Sequence, residues 1–246
     1  MSKILALNFK MNFNYSDVKN YIDNIKGRIN NLDVILFPPT IFLPYFISNE
    51  YSIGSQTISE FDNGSHTGET SCTQLKSIGG KYVIIGNSER RRDQAESDQL
   101  INLKIKQALA NDLKVILCIG ETKEEREMLR TTRVLKKEIT YDLKELDENL
   151  YKNIIIAYEP LWSIGSGDIL EKREIEETIN YIKDTTLKIY NFDPIVLYGG
   201  SVNEKSIEVL NEIPNVGGFL VGGASLDYKK VLKMKEVVEK WLPFIF

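Results

Sequence analysis

The stretch KYVIIGNSERRR, residues 81–92, joins an apolar run to a group of polar residues with only a glycine between them. The apolar run, Tyr82–Ile85, is continuous, as in strands that are buried on both faces of a parallel sheet. Asn87, Ser88 and Glu89 follow it at once, where such a strand reaches the rim of its sheet. The stretch therefore predicts a parallel α/β fold whose strand ends carry functional side chains.

Other short apolar runs have the same character and are separated by helical patterns. We predict strands at Ile4–Asn8, Val34–Phe37, Tyr51–Ser55, Tyr82–Ile85, Val115–Cys118, Ile154–Tyr158, Ile195–Tyr198 and Phe219–Val221. Eight strands alternating with about eight helices in 246 residues predict an α/β fold, a (β/α)8 barrel that forms a single domain over residues 1–246. A doubly wound open sheet with extra elements is the alternative that count and spacing leave open.

Helical patterns fill the connections between the strands. An apolar face follows Ser16, which we expect to be the N-cap of the first helix. Thr122 and Glu125 form a capping box that predicts the start of a long charged helix. Pro44 restricts any helix across residues 40–48.

The composition excludes several kinds of partner. The 31 basic and 35 acidic residues give a net charge of −4 without a basic stripe, so we expect no nucleic-acid partner. No apolar stretch approaches a membrane span and the first residues lack a signal-peptide core, so we expect a cytoplasmic protein without a membrane partner. Two cysteines, Cys72 and Cys118, and one histidine, His66, are too few for a common metal site, so we predict no metal.

Two strand ends carry polar side chains whose meaning is open. Asn8 and Lys10 are two residues apart and are expected on one side of the first strand, where the lysine supplies positive charge for a phosphate or an oxyanion. An exposed surface lysine is the alternative. Asn87 and Ser88 after the fourth strand are also ordinary N-cap residues.

The sixth strand ends in Glu159 after a fully apolar run. A carboxylate placed there is expected to have a raised pKa and to transfer protons. The residues that follow resemble a hinged lid, with a stiff start and a glycine-rich end: Pro160, Leu161, Trp162, Ser163, Ile164, Gly165, Ser166 and Gly167. A solvated glutamate before an ordinary loop is the alternative.

Gly-Gly pairs follow the seventh and eighth strands, in YGGSV (198–202) and at Gly222 and Gly223. Paired loops of this kind, each leading into a helix, offer backbone N–H groups to a phosphate. Barrels of this class often bind phosphate at these two loops.

Six motifs together resemble the triosephosphate isomerase family of TIM barrels. They are NFK (8–10), GSHTGETS (64–71), IGNSERR (85–91), AYEPLWSIGSG (157–167), YGGSV (198–202) and LVGGASL (220–226). The resemblance implies an enzyme that interconverts glyceraldehyde 3-phosphate and dihydroxyacetone phosphate through an enediolate, without a cofactor.

The resemblance also assigns roles to individual residues. Glu159 is expected to be the base, and Lys10, with Asn8 beside it, to bind the anionic substrate. Backbone N–H groups are expected to hold the phosphate at Gly165, Ser201, Gly222 and Gly223. Tyr198 and Ser201 are expected to latch the closed lid.

A homodimer is the further implication of the resemblance. Asn8, Met11 and Glu89 are expected near a two-fold interface, with Thr67 crossing to the neighbouring site.

Asn87 departs from the family, which has a histidine at this place. An amide offers one N–H donor of similar reach, but it has no accessible pKa and cannot relay a proton. We therefore expect a rate loss of about 10²–10⁴-fold, the usual contribution of one acid–base group. Gly217, where the family usually has an acidic residue, is a smaller departure.

Two other functions remain to be weighed. Asn87 alone would suit a homologue that binds phosphorylated ligands or forms a structural dimer without turnover. A Schiff-base aldolase would need a desolvated lysine inside the barrel, whereas the sixth strand ends in Glu159.

Overall fold

The barrel closes as the alternation of strands and helices predicts. The computed structural model describes residues 3–29, 33–47, 51–165 and 170–239. Each strand pairs in parallel with its neighbours in sequence, and the eighth pairs with the first. The strands are Ile4–Asn8 (β1), Val34–Phe37 (β2), Ser52–Ser55 (β3), Tyr82–Ile85 (β4), Lys114–Ile119 (β5), Ile154–Tyr158 (β6), Ile195–Tyr198 (β7) and Gly218–Val221 (β8). The predicted (β/α)8 barrel is confirmed, and closure excludes the open sheet.

Helices connect the strands around the outside of the barrel. The α-helices of the described residues are Tyr15–Ile25 (α1), Leu43–Ile47 (α2), Cys72–Ser77 (α3), Ser88–Asp93 (α4), Asp98–Ala110 (α5), Lys123–Glu127 (α6), Thr131–Asp142 (α7), Lys172–Tyr190 (α8), Ile207–Asn211 (α9) and Tyr228–Glu239 (α10). Pro44 falls in the first turn of α2, where a missing N–H is tolerated, so a short helix forms there after all. Within the described ranges, no helix has the length and apolarity to cross a membrane.

Two boundary predictions need correction. The N-cap of α1 is Asn14 rather than Ser16, because Asn14 accepts the N–H of Asp17 and the Asp17 side chain accepts the N–H of Asn14 in return. The capping box of Thr122 and Glu125 is confirmed, but the helix that it opens is short. The chain leaves α6 through Leu129, whose φ of 56° interrupts the helix before α7 begins.

Strand side chains alternate between two apolar layers, which explains why the strands read as continuous apolar runs. One layer faces the helices and contains Leu5 and Leu7. The other fills the barrel and consists of Ala6, Ile35, Phe37, Ile84, Ile116, Cys118, Ile155, Ala157, Leu197 and Leu220. The filled interior leaves the carboxyl ends of the strands as the place for a site.

Close backbone contact at the start of β8 accounts for the two glycines before its apolar residues. A side chain at Gly217 would lie 2.5 Å from Ile195 Cγ2, so the glycine leaves the room that Ile195 occupies. A Cβ at Gly218 would overlap the carbonyl oxygen of Ile4, the residue that pairs with Gly218 in β1.

Replacing Gly218 with alanine is expected to lower the free energy of unfolding by at least about 1–3 kcal/mol, because overpacking here pushes β8 away from β1. Gly223→Ala is the matched control, since a Cβ at Gly223 has no heavy atom within 4 Å. Urea unfolding of both variants measures the difference. Equal stabilities would contradict the close contact between the two strands.

Candidate active site

The carboxyl ends of β1, β4, β6 and β8 bring the predicted polar groups to one mouth of the barrel. Lys10, Asn87 and Glu159 interact there either directly or through charge. Gly222 lies beside the Lys10 side chain, since a Cβ at Gly222 would be 3.2 Å from Lys10 Cε.

Asn87 acts as an N-cap and as a hydrogen-bond donor at the same time. Its Oδ1 accepts the backbone N–H of Glu89 at 3.2 Å at the start of α4. Its Nδ2 donates to both carboxylate oxygens of Glu159, at 3.0 and 3.1 Å. An amide has its acceptor at one end and its donors at the other, so the helix cap fixes which end faces the carboxylate. The capping interpretation and the functional one are therefore compatible.

Glu159 is buried and only 5% exposed. Burial raises the pKa of its carboxyl group to about 7, against the opposing effects of the Ser88 N–H, the Lys10 charge and the Cys118 thiol. The Ser88 N–H donates to Glu159 Oε2 at 3.3 Å. A carboxyl with this pKa changes protonation state near neutral pH, as a proton-transfer base requires.

Lys10 lies beyond the end of β1 in a left-handed conformation with φ 52°. The alternation of side chains along a strand therefore does not determine where the Lys10 side chain lies. Local hydrogen bonds to its backbone hold this conformation instead. Asn8 Oδ1 accepts the Lys10 N–H at 3.0 Å, and Gln56 Nε2 donates to the Lys10 carbonyl at 2.9 Å. The ammonium group pairs with Glu89 Oε1 at 2.5 Å.

The predicted phosphate loops and lid meet at Ser163 and Ser201. The Ser201 hydroxyl donates to the Ser163 carbonyl at 2.5 Å, and the Ser201 N–H donates to Ser163 Oγ at 3.3 Å. The Tyr198 ring and the Ser163 hydroxyl both border Gly200.

The remaining members of this predicted group differ in exposure. Gly165, with φ 72°, and Gly223 are exposed, and Pro160 is buried. The predicted lid residues Ser166 and Gly167 lie outside the described residues.

Three of the predicted interface residues, Asn8, Met11 and Glu89, line a cavity at the mouth, and Thr67 lies elsewhere in the chain, in a loop. Met11 is 96% exposed, and Thr67 is exposed in the loop after β3. A cavity of about 330 Å³ is lined by Asn8, Lys10, Met11, Asn87 and Glu89 among others. The hydrogen bonds that Glu159 accepts through its carboxylate come from Asn87 and Ser88, and not from Thr67.

Arg91 supports the backbone on which the site is built, a role that the sequence analysis did not predict. Its guanidinium donates to the carbonyls of Gly86 and Cys118, at 2.8 and 3.1 Å. Gly86 has φ 75°, and a Cβ there would lie 3.0 Å from both Arg91 and the Cys118 carbonyl, so the turn into Asn87 requires glycine.

Three acidic side chains surround this buried arginine. Asp98 and Asp142 bond it at 2.8 and 2.6 Å, and Glu138 lies 3.7 Å away. Desolvation raises the pKa of Glu138 to about 8 and that of Asp142 to about 7, against the lowering effect of Arg91. The neighbouring carboxylates raise both pKa values further. The neighbouring arginines also pair locally, Arg90 with Glu96 and Arg92 with Asp93.

Cys118 and Gln56 are the other contributors that the sequence analysis passed over. The Cys118 thiol of β5 lowers the pKa of the Glu159 carboxyl, against the larger effect of burial. The register offers a signal for it, because Cys118 pairs with Ala157 and Glu159 follows two residues later on the same side of its strand. Gln56 has no comparable signal, since its partners are backbone groups.

Comparison with known proteins agrees with this geometry. The sequence profile of the family described as triosephosphate isomerase matches residues 3–238. A triosephosphate isomerase of Neurospora crassa is 37% identical over 229 residues, 89% of this chain and 92% of the relative. One of Clostridium novyi is 38% identical over 91% of this chain and 93% of its own, and one of Alkaliphilus metalliredigens is 39% identical over 91% and 94%.

The raised pKa of the Glu138 carboxyl makes the free energy of unfolding depend on pH. A carboxyl whose pKa is raised by folding stabilises the protein fully below its unfolded pKa, and that stability is lost as the pH rises through about 8. Between pH 5 and pH 9, wild type is therefore expected to lose about 2–4 kcal/mol of unfolding free energy relative to Glu138→Gln. Urea unfolding at both pH values measures this, with exposed Glu127→Gln as the control. Parallel pH curves for wild type and Glu138→Gln would contradict the assignment.

Proposed function

The chain belongs to the triosephosphate isomerase family and interconverts triose phosphates, and we propose that Glu159 moves the proton while Asn87 stabilises the reacting oxygens. The observation that carries this proposal is the pair of hydrogen bonds from Asn87 Nδ2 to the buried carboxylate. It brings a base and a neutral donor to the same point in the barrel mouth.

Glu159 is suited to both directions of the reaction. Its pKa of about 7 leaves a substantial fraction ionised at neutral pH, ready to take the carbon-bound proton. The acid that forms can return the proton to the neighbouring carbon. The Lys10 ammonium supplies positive charge for the enediolate that lies between the two triose phosphates.

Asn87 stands where this family has a histidine. That histidine is kept neutral near a helix N-terminus and is a standard example of pKa tuning. The amide supplies a neutral donor and the cap at once, but it does not titrate near neutrality. Glu159 then carries protons to the substrate oxygens as well as to the carbons. Ser88 bonds Glu159 through its backbone N–H and Glu89 is paired with Lys10, so we assign the proton relay to neither of these neighbours.

Phosphate binding completes the substrate site. Backbone N–H groups of Gly165, Ser201, Gly222 and Gly223 are the donors that we assign to it, with Tyr198 and Ser201 closing on the lid. The bond from the Ser201 hydroxyl to the Ser163 carbonyl supports the latch, because it already joins the phosphate loop to the start of the lid.

A homodimer in the cytoplasm is the proposed setting. Met11 projects fully exposed beside the cavity that Lys10, Asn87 and Glu89 border, which leaves room for Thr67 of a second copy. Cys72 and Cys118 are free thiols, which suits a reducing compartment.

Solvent exchange tests the proposed base directly. Wild type is expected to exchange the carbon-bound proton of dihydroxyacetone phosphate with D₂O and to isomerise it, and Glu159→Gln is expected to lose at least about 10³-fold of both rates. Proton NMR follows the exchange, with exposed Glu127→Gln as the control. Binding of a phosphorylated enediolate mimic without any exchange would instead indicate a silent homologue.

Restoring the imidazole tests the part assigned to Asn87. Asn87→His is expected to raise kcat by about 10²–10⁴-fold with little change in KM, because the ring adds proton relay to the same donor. Steady-state kinetics in both directions measure the two constants. Equal kcat values would mean that proton transfer in this site does not depend on the residue at position 87.

A further inference from the structure

The loop between β6 and α8 has two ends that approach the same side chain. Residues 160–165 follow Glu159 at the end of β6, and Glu171, the N-cap of α8, lies on the other side of residues 166–169, which are not described. Arg126, from α6, reaches residues on both sides.

At the first end, Arg126 covers Trp162. Its guanidinium carbon lies 5.5 Å from the centroid of the indole ring, within range for a cation–π contact. The backbone nearby is also fixed, because the Leu161 N–H donates to the Glu121 carbonyl at 3.0 Å.

At the second end, Arg126 bonds Glu174, which belongs to the capping box at the start of α8. Glu174 Oε2 accepts the Glu171 N–H at 3.1 Å and so completes a capping box. The other oxygen, Oε1, accepts from Arg126 Nη2 at 2.6 Å. One carboxylate thus links the start of α8 to the side chain that covers Trp162.

A buried glutamate holds Arg126 in this position. Glu121 is fully buried, and its Oε1 accepts both Arg126 Nη1 and the Tyr158 hydroxyl at 3.1 Å. Tyr158 directly precedes Glu159 in the chain, so the anchored guanidinium connects the base's own strand to both ends of the loop.

We propose that Arg126 and Glu174 are positioning residues that link the two described ends of the β6–α8 connection and thereby orient the Gly165 N–H and Glu159 toward the substrate. This role rests on the proposed function. Neither residue touches the reacting atoms. The planar guanidinium suits the task because it can bond two carboxylates in its plane while its face covers an aromatic ring.

The test compares Glu174→Gln with Glu177→Gln. The amide of Gln can still accept the Glu171 N–H, so Glu174→Gln removes the charge pair with Arg126 and keeps the cap. Glu177 also pairs with an arginine of α8, at 2.7 Å, and both glutamates border one cavity of about 390 Å³, so neither substitution is crowded.

Binding of 2-phosphoglycolate by calorimetry and kcat/KM for isomerisation are the readouts. Glu174→Gln is expected to weaken both about 3–10-fold, in line with one partly exposed ion pair, whereas Glu177→Gln leaves both unchanged. Thermal unfolding of the two variants is expected to be similar. Wild-type values for Glu174→Gln, or equal losses in both variants, would overturn the proposal.

A double-mutant cycle separates a positioning pair from two independent effects. Arg126→Lys keeps the charge but loses the planar contact, and in that background Glu174→Gln is expected to cost less than it does alone. Full additivity would overturn the pairing. If wild type turns over substrate and Glu174→Gln has wild-type values, only the positioning role is contradicted. If wild type shows neither turnover nor 2-phosphoglycolate binding, both the proposed function and the positioning role are contradicted.

Discussion

The site depends on one hydrogen-bonded contact, that between the Asn87 amide and the Glu159 carboxylate. A carboxylate this deeply buried is costly to ionise unless donors face it. Asn87 Nδ2 reaches both of its oxygens, and the Ser88 N–H reaches one. The Ser88 N–H, the Lys10 charge and the Cys118 thiol limit the rise of the pKa, while burial keeps it near 7, so the group remains able to exchange a proton.

The fold enforces this contact through backbone geometry more than through side-chain packing. Helix α4 fixes the orientation of the Asn87 amide, because its first turn presents an N–H to Oδ1. The left-handed turn at Gly86 and the brace of Arg91 on two carbonyls set where that helix begins. A neutral amide tolerates this place for the same reason that a neutral imidazole would: the helix terminus disfavours a positive charge there.

The sequence predicts much of this arrangement, and the features that it does not predict have physical reasons. Short, mostly apolar runs predicted every strand to within one residue at each end, because burial on both faces leaves little freedom of composition. Lys10 was assigned to the mouth for the wrong local reason, since its φ is set by Gln56 and Asn8 rather than by the strand. Arg91 and its three acidic partners were not predicted as a unit, because Asp98, Glu138 and Asp142 come from two helices whose docking no local pattern encodes.

The central claim is that Asn87 donates to the reacting oxygen while the helix cap holds its amide in one orientation. A neutron structure of the deuterated protein with 2-phosphoglycolate tests this most directly, because it distinguishes the amide nitrogen from the amide oxygen. We expect the ND₂ group about 3 Å from a carboxylate oxygen of the ligand, with Oδ1 still accepting from the Glu89 amide. An amide turned with its oxygen toward the ligand, or a water molecule between the two, would contradict the account.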